Sequence, residues 1–169
     1  MHEHGALAPS PWVLRWAPLV ARGPLLDVAC GDGRHARLFV ARGIEVVAVD
    51  RDPQSIPGVR FVQADLEERE WPFPNERFAA IVVTNYLHRP LLPILASSLE
   101  PDGILIYETF MAGNERYGKP SNPRFLLQPG ELLQAFGAPL RVLAFEQGRI
   151  TAPKAAVIQR LCAARAPSR

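Results

Sequence analysis

Three carboxylates belong to short apolar runs, and two of them stand where the run stops. Asp27 lies within residues 25–30, Asp50 closes residues 44–50, and Asp65 closes residues 60–65. Between the first two runs, Gly31-Asp32-Gly33 leads at once into a helix-like pattern. Gly31-x-Gly33-x-x-Ala36 fits the glycine loop through which a backbone approaches a dinucleotide, in which the last glycine is sometimes alanine. Any tight strand-to-helix turn needs small residues too, so the loop alone does not choose a ligand. The carboxylates add chemistry. Each offers paired acceptors suited to vicinal hydroxyls or to an amine, and together they disfavour a pyrophosphate and favour a cation.

The elements that must position these groups alternate. Ser10-Pro11 reads as an N-cap and first helical residue, with Trp12, Val13, Trp16, Leu19 and Val20 recurring at helical spacing until Arg22-Gly23-Pro24. Strands are expected at residues 25–30, 44–50, 60–65, 78–84 and 103–109, and helices at 34–42, 91–99 and 129–136. Pro53, Pro57 and Gly58 leave room for one helical turn at most between the second and third strands. Residues 141–146 and 156–163 read as two strands joined by a connection too short for a crossover helix, so they pair antiparallel. The expected fold is α/β: a Rossmann-like, doubly wound, mostly parallel seven-stranded sheet with an antiparallel C-terminal hairpin. Residues 1–24 form an N-terminal helical segment, 25–163 the domain, and 164–169 a tail. Ligands of such sheets bind beyond the carboxyl ends of the strands.

Bulk properties narrow the class. The 169 residues are 48% hydrophobic and 21% charged, with a formal net charge of +2, as in an ordinary globular domain. Arginines are scattered, which lends nucleic acid no support as a partner. Cys30 and Cys162 lack metal-ligand spacing and read as small buried strand residues; no metal is expected. His2 and His4 read as part of a frayed terminus. No apolar run spans a membrane, and MHEHGALAPS has no signal-peptide pattern, so a cytoplasmic location is expected. Oligomeric state is not legible.

A nicotinamide enzyme normally adds a substrate domain, for which little chain remains after the fifth strand, and no GxxxxGK[ST] is present to hold a triphosphate. A ligand carrying ribose, adenine and a positive sulfonium satisfies the glycine loop and the acidic trio together. At this point Asp27-Val-Ala-Cys-Gly-Asp-Gly33, Val-Val-Ala-Val-Asp50, Gln63-Ala-Asp65-Leu66 and Leu99-Glu-Pro-Asp-Gly103 resemble, in order, the motifs of class I S-adenosylmethionine (SAM)-dependent methyltransferases. The resemblance covers residues 25–163 and departs at Ala29, where glycine is common. It implies SAM as cofactor. Ala29, Gly31 and Gly33 would let the backbone approach methionine and ribose, and Asp27 would orient the loop and the ligand's amino group. Asp50 would take the ribose hydroxyls, with Arg51 along the adenine. Asp65 and the Leu66 amide would read the adenine edge. Asn85 belongs with this cofactor set.

The acceptor is expected to be a small molecule. Thr84-Asn-Tyr-Leu-His-Arg89 stands after the fourth strand and is no Asn-Pro-Pro-Tyr motif, which argues against base or glutamine nitrogen as acceptor. Tyr86, His88 and Glu108 are the candidate catalytic groups, His88 as a general base. Tyr107, Tyr117, Asn122 and Arg124 are candidate substrate contacts, the last three on a long Gly/Pro/Asn connection, residues 111–128, expected to be a substrate lid with Phe125 and Leu126 as its apolar underside. Two other readings stay open: a protein or RNA methyltransferase working with a partner, and a SAM-binding regulatory module without turnover.

Overall fold

The computed structural model describes residues 7–169. His2 and His4 lie outside the described residues. Helix α1 (Pro11–Trp16) starts as expected: the Ser10 side chain accepts from the Trp12 and Val13 amides, with proline at the first helical position. Strand β1 (Leu25–Val28) then leads through the glycine loop into α2 (Arg34–Ala41). Strands β2 (Val46–Asp50), β3 (Val59–Gln63) and β4 (Phe78–Thr84) follow, and no helix separates β2 from β3. Helix α3 (Leu92–Ser97) precedes β5 (Leu99–Phe110), and α4 (Glu131–Phe136) precedes β6 (Arg141–Ile150) and β7 (Ala156–Ala164).

The seven strands lie in the order β3-β2-β1-β4-β5-β7-β6. The first five are parallel to their neighbours, and β7 runs antiparallel between β5 and β6. The fold is therefore the Rossmann-like sheet with an antiparallel hairpin. The central strands are buried on both faces, which explains their near-continuous Val, Ile and Leu content. Successive residues turn to opposite faces. Leu26, Val28, Ile81, Leu105 and Tyr107 pack with α3 and α4, while Leu25, Ala80, Val82 and Ile106 pack with α1 and α2.

Several boundaries move, for identifiable reasons. Cys30 stands in the turn after β1, not in the strand, and Asp65 stands two residues beyond β3, where its carboxylate accepts from the Glu67 amide and starts a turn. Strand β6 runs on through Gly148 to Ile150 because β7 pairs with it along its whole length. No helix of the described chain is long and apolar enough to cross a membrane.

Candidate active site

The glycine loop is held from both sides. Asp27 is 1% exposed, and its carboxylate accepts from the Ala36 amide at 3.1 Å, tying β1 to the first turn of α2. Burial raises its pKa from 3.8 to about 7, against the lowering effect of that amide and of the Arg34 charge. Asp50 reaches the loop from the end of β2, where Oδ2 accepts from the Gly31 amide and Oδ1 from the Asp52 amide, both at 2.9 Å.

Left-handed backbone recurs here: Ala29 has φ +54°, Gly31 +55° and Gly33 +89°. Ala29, where the resembled motif commonly has glycine, thus adopts the same region at a cost of about 1–2 kcal/mol. The two glycines differ in their surroundings. A Cβ on Gly31 would meet nothing within 4 Å, whereas one on Gly33 would lie 2.5 Å from Ile56 Cδ1. Urea denaturation is expected to rank Gly33→Ala as the more damaging, at about 2–3 kcal/mol, with Gly31→Ala near 1 kcal/mol. Equal losses would show that backbone strain alone governs the loop.

Three adjoining cavities open at the carboxyl ends of β1, β2, β4 and β5, and Asn85 lines all of them. Asn85 itself stands at φ +54° directly after β4, with its amide donating to the Glu108 carbonyl at 2.9 Å. The first cavity, about 370 Å³, holds Ala29, Asp50, Arg51, Asp65, Leu66 and Tyr86 in its wall, with Asp52, Glu67 and Phe125. Its acidic lining suits a cation. The Leu66 amide makes no hydrogen bond among the described residues. A second cavity, between Glu67, Tyr86, Thr109, Phe110, Pro120 and Phe125, joins it.

A third, of about 500 Å³, lies between the N-terminal stretch 7–11, the 111–128 connection and the β6–β7 turn. Its inner wall rests on a polar network that sequence reading missed. Ser10 donates its amide to His35 Nε2 at 3.0 Å and its hydroxyl to Glu108 Oε1 at 2.8 Å. Glu108 Oε2 takes the Arg160 Nε–H, and Arg160 continues to Glu146. Because His35 Nε2 accepts, its proton sits on Nδ1, which lies 3.4 Å from Thr84 Oγ1. The His35 ring is 2% exposed, and burial, assisted by Arg34, lowers its pKa from 6.5 to about 4. Two signals did exist for this network: Ser10 as an N-cap, and His35 four residues before Phe39 on the buried face of α2.

The candidate residues separate. Ala29, Asp50, Arg51, Asp65, Leu66, Asn85 and Tyr86 come together around the acidic cavity, while Glu108 and Tyr117 line the large one. Tyr107 is corrected: it is 1% exposed, packs on Phe136, and its hydroxyl donates to the Tyr86 carbonyl at 2.8 Å. It steadies the segment after β4 from the core side. His88 stands outside the cavity walls, 3.7 Å from Glu67, so its placement does not supply the general base expected of it. Asn122 and Arg124 are exposed and also outside those walls; Asn122 caps a short turn, and Arg124 lies 3.5 Å from Glu67. Leu126 is buried, so of the expected underside only Phe125 faces the cavities.

Both roots of the 111–128 connection are built in. Ala112 donates to the Leu127 carbonyl, Arg89 donates to the Arg124 and Leu126 carbonyls, and buried Asn114 bonds to Pro120 and Val157.

Comparison with known proteins agrees with this architecture. A model of the methyltransferase domain family matches residues 1–139. Trans-aconitate 2-methyltransferase of Methylobacterium nodulans is 35% identical over 108 residues, covering 57% of this chain and 42% of the relative. TehB from Haemophilus influenzae superposes with a TM-score of 0.77 at 15% identity over 93% of this chain and 62% of its own. The 1,6-didemethyltoxoflavin-N1-methyltransferase of Burkholderia thailandensis, solved with S-adenosylhomocysteine, gives 0.64 at 20% identity over 92% of this chain and 76% of its own. The chain spans less than half the length of the curated relative. With the family model matching most of its residues, and its fold and motif order in agreement, the chain belongs to the methyltransferase domain family.

Proposed function

We propose that this chain binds SAM in the acidic cavity and transfers its methyl group to a small molecule held in the 500 Å³ cavity. The observation that carries the reading is the shared wall. One residue, Asn85, borders both the carboxylate-lined pocket beside the glycine loop and the large cavity, so donor and acceptor would meet there.

The chain's own groups fit the donor. Each Asp50 oxygen spends one lone pair on a backbone amide and keeps another for a ribose hydroxyl. Asp65 uses one oxygen on the Glu67 amide and keeps the other for an adenine amine, beside the free Leu66 amide. Arg51 would lie along the base. Gly31 leaves open space next to its Cα for the methionine portion. Asp27, being buried, acts through the loop it holds. When bound, SAM supplies a methyl already activated by its sulfonium. The protein's task is then to align donor and acceptor and keep water out, which is worth roughly 7–11 kcal/mol when the geometry is good.

The acceptor side suits a small molecule in size. The Methylobacterium relative is named for trans-aconitate and the Burkholderia one for 1,6-didemethyltoxoflavin, in line with that reading. Tyr117 and Lys119 of the 111–128 connection line this cavity, which supports that connection as the candidate lid.

Thermal unfolding tests the donor assignment. SAM or S-adenosylhomocysteine at about 100 times its Kd should add roughly 2.7 kcal/mol of stability, and NADH none. A shift with NADH and none with either adenosyl ligand would overturn it.

A further inference from the structure

The two sides of the cleft carry opposite charge. Around the donor cavity stand Asp50, Asp52, Asp65 and Glu67. The large cavity is bordered by Arg34, Lys119 and Lys154, and among the described residues its one acidic lining residue is Glu108. That carboxylate is already paired, with one oxygen accepting from the Ser10 hydroxyl and the other from Arg160. Lys119 and Lys154 enter no ion pair among the described residues. They come from separate segments, yet the Lys154 ammonium lies 3.8 Å from the Cβ position of Gly118, the residue before Lys119. Two loops thus bring cations to one mouth, an arrangement that gains energy when an anion sits there.

Among the described residues, this cavity has no proton acceptor that is not already hydrogen-bonded. Glu108 is engaged at both oxygens, and His35 lies behind the wall with Nε2 taken by the Ser10 amide. His88 faces none of the cavities. Tyr86, on the donor side, has its phenol pushed up to about 12 by burial and by Glu67, Asp65 and Asp50, so it stays protonated. An alcohol, thiol or ammonium acceptor must lose a proton to become a nucleophile, and among the described residues the one carboxylate of this wall would have to take it while held by Ser10 and Arg160. A carboxylate is ionised already at neutral pH and brings the charge that the lysines select.

We propose that the acceptor is a carboxylate-bearing small molecule, bound through Lys119 and Lys154, and that the product is its methyl ester. The proposal rests on the methyltransferase reading. In the transfer, a carboxylate oxygen lone pair forms the O–CH₃ bond as the CH₃–S bond breaks. The pair from the broken bond stays on sulfur and cancels its positive charge. S-adenosylhomocysteine and ester leave, and no proton moves.

The test uses the full chain with methyl-labelled SAM and a panel of acceptors. The panel holds trans-aconitate, linear mono- and dicarboxylates and benzoate, set against thiols, amines and phenols of similar size. Label is expected in carboxylates, released as methanol by mild alkali, at a rate flat over roughly pH 6 to 9. Lys119→Glu combined with Lys154→Glu should raise the carboxylate KM about tenfold or more with the affinity for S-adenosylhomocysteine unchanged. If S-adenosylhomocysteine binds but no carboxylate is esterified, the proposal falls while the donor site stands. A rate rising tenfold per pH unit, or an unaffected KM in the double variant, also overturns it. If neither SAM nor S-adenosylhomocysteine binds, the methyltransferase reading falls first.

Discussion

Asp50→Ala is expected to weaken binding of S-adenosylhomocysteine by about a hundredfold or more in calorimetry, with the fold left standing. The carboxylate keeps one lone pair on each oxygen for the ribose diol, and each charge-assisted hydrogen bond is worth about 1.5–3 kcal/mol. Two such bonds exceed the 1.4 kcal/mol per tenfold needed for a hundredfold loss. Stability should suffer far less, by about 1 kcal/mol, because the Gly31 and Asp52 amides that lose their acceptor belong to exposed residues and turn to water. Asp50→Asn retains an acceptor but not the charge and should fall between. Unchanged affinity in a folded Asp50→Ala variant would remove this residue from the site.

Opposing pH slopes are expected from two buried titratable groups at the first turn of α2, His35 within it and Asp27 of β1 bonded to its Ala36 amide. Burial raises the Asp27 pKa from 3.8 to about 7, so within that window the folded chain keeps a proton that the unfolded chain releases, and stability falls as pH rises. Burial lowers the His35 pKa from 6.5 to about 4, so the unfolded chain takes up a proton that the folded chain refuses, and stability falls as pH drops through that window. Each slope approaches about 1.4 kcal/mol per pH unit, and over their shared range they cancel. Removing one exposes the other. Urea denaturation of Asp27→Asn should show stability lost on acidification below about pH 6.5, and His35→Gln should lose it on raising pH toward 7. Slopes in both variants equal to that of the parent chain would show that neither group is titrated by folding.

The proposed donor half of the site is legible in the sequence because each part is local. Glycines, strand-closing carboxylates and apolar runs lie within a few residues of one another, and parallel pairing then carries Asp50 to Gly31. The proposed acceptor half is not. Ser10, His35, Thr84, Glu108 and Arg160 come from five segments and meet only through packing. Tyr107 was misjudged although a rule was available: it neighbours Glu108 on a strand, and neighbours on a strand face opposite sides of the sheet. Glu108 therefore reaches the α1 side and Arg160, and Tyr107 enters the core beside Phe136. Lys154 and Lys119 lie far apart in the chain, and only the turn between β6 and β7 brings them to one cavity.

A crystal structure of the chain with S-adenosylhomocysteine tests the central claim most directly. The account predicts the ribose hydroxyls on Asp50, the adenine edge between Asp65 and the Leu66 amide, and the thioether sulfur turned toward Asn85 and the large cavity. Density for the ligand outside the Asp50–Asp65 cavity, or with its sulfur facing away from Asn85, would contradict it.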